Sequence, residues 1–474
     1  MVDHYANSIE DSLTESLSFK LKPGGSYITD KRSVTFHPQG SNIYSTNGTK
    51  LIRLLLTGEN WLDPQTVRIC FDLVNTDPAT SKWLRPVGGV HSFFQRARLL
   101  CGGVVVEDLC DYARSHELTY ALTPLETQIS EGAQGFGTPW HALEEAVGRP
   151  AHENSFCQIF GGGDSMTVLF KPCFGLFSEE QKKEIPLRYC PITIELELVS
   201  DPLAPIITGP APFNDTNCSS SWQIQNVMAK CDILTLDSQL NNSYAEYLLS
   251  GKSIPINYST YVSQIQTTLS GDNGQKNIKL SVTRALSRLR NVFISLVKSN
   301  PAYKTKLDTC WFRDWNHFYS PMSFIADGHF PAVVAVDGAV TDVVYPANIN
   351  NHSDGEFSFQ IAIGSKLFPE YPIRSHAEAY YQLSKVLKDQ SHNLSAQNID
   401  GVQYRVNRFI MCMNLEKINN ELAFTGHSTK AGDIMNITFD HRGSVPSNYA
   451  TAVHILMQSD NVLEIRDGGV QVYD

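Results

Sequence analysis

The alternation of apolar and polar positions predicts short β-strands along most of the chain. The segment CPITIELELV at 190–199 ends in strict alternation, and SYITDKRSVTFH at 26–37 alternates well enough for a strand with one buried face. Gly, Pro, Asn and Asp separate such segments, as turns require. Strands are predicted in the first half at 26–37, 50–56, 66–74, 96–106, 166–170 and 190–199, with a turn or bulge at the glycine pair 102–103.

The second half of the chain repeats this order of elements. Each half contains one predicted helix, at 107–122 in the first and at 375–388 in the second, where Ser375 is placed as the N-cap. The two halves share no visible sequence identity, so the repeat is one of architecture. Strands are predicted in the second half at 223–236, 258–268, 276–283, 291–297, 332–336, 356–363, 404–414, 434–439, 451–458 and 462–473.

A proline-rich stretch between the two halves suggests the domain organisation. Residues 200–221 hold four prolines and almost no periodic pattern, which is typical of a stiff linker. Strands with helices only as insertions argue against a parallel βαβ sheet and favour antiparallel sandwiches or jelly rolls. We therefore expect an all-β protein with an N-terminal segment at 1–25, a first domain at 26–205, a linker at 206–221 and a second domain at 222–474.

Composition and charge narrow the class of protein. At 474 residues the chain exceeds the usual size of one hydrophobic core, and its 42% apolar and 18% charged residues exclude a disordered chain. The net charge is −11, and no cluster of Lys and Arg of the kind that neutralises phosphates is present. Strong direct binding of nucleic acid is therefore not expected.

The cysteines and the N-terminus bear on the compartment. None of the ten cysteines lies in a CxxC motif or at zinc-finger spacing, and several lie in apolar runs, so we expect buried free thiols and folding in a reducing compartment. Residues 1–20 lack the apolar core of a signal peptide, and no stretch approaches the ~20 apolar residues that cross a bilayer. No transmembrane segment is expected.

The candidate chemical motifs are weak. Gly251-Lys252-Ser253 resembles the end of a phosphate-binding loop, but Glu246 occupies the position of the loop's first glycine. The GGGD run at 161–164 could hold an anion on its N–H groups, although a turn is the simpler interpretation. The carboxylate pairs at 144–145 and 179–180 fit a solvated surface better than a glycosidase site. We expect no catalytic residue, no bound cofactor and no metal site, and hence no enzyme.

Scattered histidines and an aromatic segment are two further candidates for a site. The histidines at 329, 352, 376 and 392 fall at unrelated spacings, and neither GxSxG nor HExxH occurs. The segment CWFRDWNHFY at 310–319 is the most aromatic of the chain and contains Trp311, Phe312, Trp315 and Phe318. These rings could stack on sugars or bases, but filling a core beneath a loop or forming a subunit contact is favoured, because aromatic residues dominate both environments.

Several of these segments resemble one family. SYITDKRSVTFHPQGSNIYS from position 26, LIRLLLTGENWLDPQTVRICFDLVN and LRPVGGVHSFFQRARLLCGGVVVEDLCDYAR resemble the first jelly roll of double jelly-roll major capsid proteins of Polintons, adintoviruses, Polinton-like viruses and virophages. EIPLRYCPITIELELVSDP resembles the strands that close that jelly roll, and YATAVHILMQSDNVLEIRDGGVQVYD resembles the C-terminal strands. The likeness covers about half of the chain, in pieces.

This resemblance implies two tandem eight-stranded antiparallel jelly rolls with short helical insertions. It also implies a homotrimer that tiles an icosahedral DNA-virus shell through contacts between capsomers. Penton and minor capsid proteins would be its further partners, the virion its location and the infected cell its place of assembly. A viral surface β-sandwich that attaches to carbohydrate or host is the main alternative, and a β-sandwich hydrolase is a third hypothesis.

Overall fold

The computed structural model describes most of the chain. The described residues are 27–84, 86–136, 160–178, 181–206, 218–267, 277–297, 313–318, 320, 333–336, 339–343, 357–387, 404, 408–418, 426–430, 432–441 and 452–474.

These residues contain twenty-one strands and four α-helices. The strands are β1 (Ile28–Phe36), β2 (Ile43–Tyr44), β3 (Leu51–Leu56), β4 (Trp61–Asn75), β5 (Phe94–Cys101), β6 (Val104–Cys110), β7 (Ser165–Phe170), β8 (Ile185–Pro186), β9 (Ile192–Leu198), β10 (Trp222–Leu236), β11 (Ile254–Thr267), β12 (Asn277–Val282), β13 (Leu289–Val297), β14 (Val333–Val336), β15 (Ala339–Val343), β16 (Phe357–Ile363), β17 (Lys366–Ile373), β18 (Met411–Asn414), β19 (Met435–His441), β20 (Ala452–Arg466) and β21 (Gly469–Tyr473). The helices are α1 (Tyr112–Ala121), α2 (Leu125–Glu131), α3 (Ser238–Leu249) and α4 (His376–Val386), and two 3-10 turns lie at Val90–Phe93 and Gly175–Phe177.

Four antiparallel sheets form two sandwiches with the same strand order. In the first, the sheets run β1-β10-β4-β7 and β3-β9-β5-β6; in the second, they run β11-β20-β13-β18 and β12-β19-β16-β17. If the eight main strands of each sandwich are counted along the chain, both have the orders 1-8-3-6 and 2-7-4-5. This order defines a jelly roll. The predicted fold, a double jelly roll, is confirmed.

The helical insertions also fall at matching places. In each jelly roll the helix that packs on it follows the fifth strand and precedes the sixth, as α1 in the first and α4 in the second. Helix α4 begins as predicted, because the Ser375 side chain accepts a hydrogen bond from Glu378 N at 3.2 Å, and Glu378 Oε2 in turn accepts one from Arg374 N at 2.6 Å. Helix α1 starts later than predicted, since 107–110 continues strand β6.

The strand pairing differs from the predicted domain boundary. The sequence predicts that the second jelly roll starts at Trp222, but β10 pairs with β1 along one edge and with β4 along the other, inside the first sandwich. Residues 199–221 therefore connect the seventh and eighth strands of the first jelly roll. The connection to the second jelly roll is α3, whose ring contact between Trp61 and Tyr244 holds it against the first, with centroids 4.8 Å apart. A period-two pattern predicts a strand but not its neighbour, which is why sequence alone misplaced the boundary.

Candidate functional site: the junction between the jelly rolls

The two jelly rolls share one buried apolar cluster, and its residues come from both sandwiches. Across the contact, strand β6 faces strand β11, and side-chain hydrogen bonds join them. Tyr258 Oη donates to Val106 O at 3.3 Å, and Ser263 Oγ donates to Cys110 O at 2.5 Å. Gly175 lies so close to Ser259 O that a Cβ atom would overlap it. The jelly rolls are therefore packed together at van der Waals contact.

A buried carboxylate, Glu107, bridges three segments at this contact. Its oxygens accept hydrogen bonds from Gly175 N at 2.9 Å, from Leu176 N at 2.8 Å and from Thr260 Oγ1 of the second jelly roll at 3.1 Å. Burial raises the pKa of Glu107 to about 7, although these donors act in the opposite direction.

A second buried charge, Arg114 of α1, reaches into the second jelly roll. Its guanidinium donates to Asp314 O at 2.5 Å, to His317 O at 3.0 Å, to Ser295 Oγ at 2.9 Å and to Leu296 O at 3.2 Å. It also lies over the ring of Phe318, 4.9 Å from its centroid. Burial lowers the pKa of Arg114 to about 9. The cation is held by oxygen acceptors of the second jelly roll, as a buried charge requires.

One turn along α1, Glu117 receives partners from both jelly rolls. His91 Nε2 donates to its Oε2 at 2.9 Å, and Arg408 Nη1 donates to its Oε1 at 3.0 Å. Burial favours a higher pKa for Glu117, but the hydrogen bonds and charges of His91 and Arg408 outweigh burial and lower it. The ion pair joins the first jelly roll to the segment that leads into β18.

Two buried imidazoles complete this network. His116 stacks on His91 with centroids 4.2 Å apart, and His454 Nε2 lies 3.2 Å from Ser115 Oγ. Burial, reinforced by His91, lowers the pKa of His116 well below 6.5. Burial, reinforced by Arg114, does the same to His454. Both rings are therefore neutral at pH 7.

The contacts show that the two jelly rolls point the same way. Helix α1 touches Leu296 and His454, which lie where β13 ends and β20 begins. At the opposite end of the first jelly roll, the Gly102 turn between β5 and β6 lies against Val470, beyond the end of β20; a Cβ atom on Gly102 would be 2.9 Å from Val470 Cγ2. The sandwiches thus stand side by side, with corresponding ends together.

In each jelly roll the long connections leave from one of these ends. In the first, bridges between Leu84 and Phe160 and between Pro86 and Ile206 hold together the connections that follow the third, fifth and seventh strands. In the second, β13 ends at Val297 and β16 begins at Phe357, whereas β16 and β17 at the other end are joined by two residues. One end carries the longest connections, and the other carries the short turns that follow the second and fourth strands.

The aromatic segment at 310–319 belongs in part to the junction. Trp315 is buried against Gly88, and its Nε1 donates to Ala204 O at 3.0 Å. Phe318 is fully buried under Arg114. These two rings pack inside the protein and are not available for stacking on a sugar. Trp311 and Phe312 lie outside the described residues.

The glycine motifs are structural where they are described. Gly251 has φ +80° and ends helix α3, with its N–H donated to Leu248 O, so GKS follows a helix here, whereas in a phosphate-binding loop it opens one. In the GGGD run, Gly161 N donates to Asp164 Oδ2 and Gly163 N donates to Asn75 O. That run is a turn that uses its own N–H groups, as predicted.

The remaining candidates divide between buried and undescribed positions. His376 is buried, and its Nε2 lies 3.1 Å from Ser320 Oγ. Residues 144–145, 179–180, 329, 352 and 392 lie outside the described part of the chain. Within the described residues, no three His, Cys, Asp or Glu side chains are grouped so that they could hold a metal ion. No helix in that same part is both long and apolar enough to span a membrane.

The cysteines mostly follow the prediction of buried free thiols. Six are buried, whereas Cys173 is half-buried and Cys110 is exposed. Cys157 and Cys310 lie outside the described residues. The buried ones are Cys70, Cys101, Cys190, Cys218, Cys231 and Cys412.

The fold is similar to that of solved viral capsid structures. A chain of the PBCV-1 virus capsid matches with a TM-score of 0.60 and 12% identity, over 96% of this chain and 99% of that one. A chain of the Sputnik virophage matches with a TM-score of 0.57 and 11% identity, over 98% and 93%. The Faustovirus major capsid protein matches with a TM-score of 0.54 and 10% identity, over 95% and 92%. No protein-family model and no curated protein matches the sequence.

Proposed function

We propose that this chain is a major capsid protein that forms homotrimeric, pseudo-hexameric capsomers in an icosahedral DNA-virus shell. The observation that carries the proposal is the double jelly roll, in which the two sandwiches stand side by side with corresponding ends together. Three such blocks around a threefold axis place six similar sandwiches in a ring, which is the shape of a six-sided tile. Proteins of this fold from PBCV-1, Sputnik and Faustovirus structures support the same assignment.

The junction suits a role in which the chain acts as one rigid block. Glu107, Arg114 and Glu117 are all buried and all bonded across the two sandwiches. Breaking such contacts would leave uncompensated buried charges, which is strongly unfavourable. A capsomer that contacts several neighbours in a shell benefits from this rigidity.

We further propose the domain division and the partners. The first jelly roll would extend from β1 to β10, α3 would be the linker, and the second jelly roll would extend from β11 to the C-terminal strands. Penton and minor capsid proteins would complete the shell, and no strong contact with nucleic acid is proposed, since the net charge is −11. The protein would be a structural component of the virion without catalytic activity.

Light scattering and electron microscopy of the purified full-length chain test the proposal. We expect a trimer of about 158 kDa, three times 52.8 kDa, and pseudo-hexagonal particles in negative stain. A chain that stays monomeric at micromolar concentration and forms neither particles nor shells would contradict it. Glycan binding without assembly would instead favour the attachment protein.

A further inference from the structure

The junction within one chain uses a defined set of elements. From the first jelly roll it takes the fifth strand (β6), the helix that follows it (α1) and the segment between the sixth and seventh strands. From the second it takes the sheet that begins with β11, together with the connection after the third strand. Strands β6 and β11 each lie at the edge of their sheet.

Because both jelly rolls have the same strand order, each element of the junction has a counterpart on the other side of the molecule. The counterpart of β6 is β17, that of α1 is α4, and that of β11 is β1. Strands β17 and β1 also lie at sheet edges, and no described strand pairs with their outer sides.

The counterparts differ from the junction elements in burial. Strand β11 buries Ile256, Tyr258 and Thr260, whereas none of the nine residues of β1 is buried. Strand β6 buries three of its seven residues, whereas β17 buries only Ile373. The two free edges thus lack the cover that the junction gives to their equivalents.

Large apolar side chains are exposed on these same elements. On the β17 side, Tyr371 is 79% exposed and Tyr381 of α4 is 59% exposed. On the β1 side, Ile28 is 49% exposed. Exposed apolar residues gathered on one surface mark a contact with another protein. Leu367 on β17 and Tyr27, which directly precedes β1, are also exposed.

We propose that the surface formed by β17 and α4 docks on the β1 edge of a second copy of this chain. The contact repeats between copies the geometry that β6, α1 and β11 have within one copy. It is head-to-tail, with different surfaces on the two partners, and such contacts close into a ring when the rotation permits. With six similar sandwiches, the ring closes at three copies. The inference rests on the proposed capsomer and assigns its subunit interface to residues.

Charge substitutions on the two surfaces test the interface. Tyr371→Asp and Ile28→Asp, each in the full-length chain, should shift the mass in light scattering from about 158 kDa to 52.8 kDa, with unchanged circular dichroism. Tyr473→Asp is the control, because Tyr473 is 45% exposed on β21, a strand that belongs to neither surface. It should leave the trimer intact.

Cross-linking of native lysines gives an independent readout. Lys31 lies on β1 and Lys366 on β17. In a trimer assembled from mixed 14N and 15N chains, an amine-reactive cross-linker should join Lys31 of one isotope to Lys366 of the other. If the wild type is a trimer but both variants remain trimeric and no such link forms, the interface is wrong and the capsomer stands. A monomeric wild type would overturn both.

Discussion

Helices α1 and α4 occupy the same place in the two jelly rolls but differ in burial. Seven of the ten residues of α1 are buried, around its whole circumference, including Arg114 and Glu117. Helix α4 buries His376, Ala379, Leu383 and Val386, the spacing of a single helix face. The difference arises because α1 lies between two sandwiches, whereas α4 covers only its own. The burial of such a helix is therefore determined by the neighbouring sandwich and not by the position of the helix in its own jelly roll.

Removing the buried cation of α1 tests whether the two helices lie in different environments, and it has the largest expected effect. Arg114→Met removes the guanidinium that donates to Asp314 O, His317 O, Leu296 O and Ser295 Oγ, and removing one partner of a buried charged network is strongly destabilising. We expect the free energy of unfolding to fall by about 3–5 kcal/mol in denaturant titrations at one fixed protein concentration.

The matched control lies on α4. Lys385 is partly exposed and contacts the ring of Tyr381 at 4.3 Å, so Lys385→Met should cost less than about 1 kcal/mol. Equal losses in the two variants would mean that the two helices are not in different environments.

A second prediction concerns the closeness of the two sandwiches. A methyl group at Gly175 would overlap Ser259 O, a backbone atom that cannot move alone, so Gly175→Ala should separate the jelly rolls locally and cost about 2–3 kcal/mol. Gly58 is the control, since a Cβ there would have no neighbour nearer than 4.0 Å. Thermal unfolding of both variants measures the difference. A Gly175→Ala protein as stable as Gly58→Ala would show that the contact is loose.

The sequence predicted the elements of both sandwiches better than their arrangement. Alternation located most of the long strands, and the N-cap placed at Ser375 located the start of α4. The sequence did not predict which strands pair. The pattern of β10 is the same whether it joins the first sheet or a later one, and the prolines at 200–221 resemble those of a linker. The helix predicted at 107–122 also begins too early, because residues 107–110 belong to strand β6.

The junction network was not found from the sequence. Arg114 and Glu117 read as polar residues of a short surface helix, and only the three-dimensional contact with Ser295, Leu296 and Arg408 gives them a role. Their partners in the second jelly roll are separated from them by 181 positions or more. No local pattern carries that information.

A third prediction concerns buried groups whose pKa values are shifted in opposite directions. The pKa of Glu107 is raised to about 7 from 4.5, so between these values the folded chain holds a proton that the unfolded chain has lost. This contribution to stability is present at acid pH and is lost as the pH rises through 7. His116 and His454 act in the other direction, because their pKa values are lowered by burial and the unfolded chain takes up their protons below pH 6.5.

Replacing Glu107 by Gln removes only the first of these contributions. The stability of the wild type relative to Glu107→Gln should therefore increase by about 2 kcal/mol in total as the pH falls from 7 to 5. Denaturant titrations at pH 5, 6 and 7 measure it. Glu59→Gln, at a side chain that is 80% exposed, should give a difference from wild type that does not change with pH. A constant difference for Glu107→Gln as well would mean that its pKa is unshifted.

The prediction with the smallest expected effect concerns the outer faces of two equivalent sheets, one in each jelly roll. In the first jelly roll, Arg53 on β3 and Arg98 on β5 both bind Glu195 on β9, at 2.8 Å from Arg53 Nε and 2.8 Å from Arg98 Nη2. The aligned positions of the second jelly roll are Lys279, Thr438 and Gln360, which carry no carboxylate.

Arg53→Met should cost at most about 1 kcal/mol, because the Arg53 side chain is 52% exposed and Arg98 still pairs with Glu195. The cost should shrink in high salt, which screens exposed charges. Lys279→Met at the matched position should have no measurable effect. If both substitutions cost the same at low salt and neither responds to salt, the charged face adds nothing that the uncharged face lacks, and the two sheets differ in sequence without differing in stability.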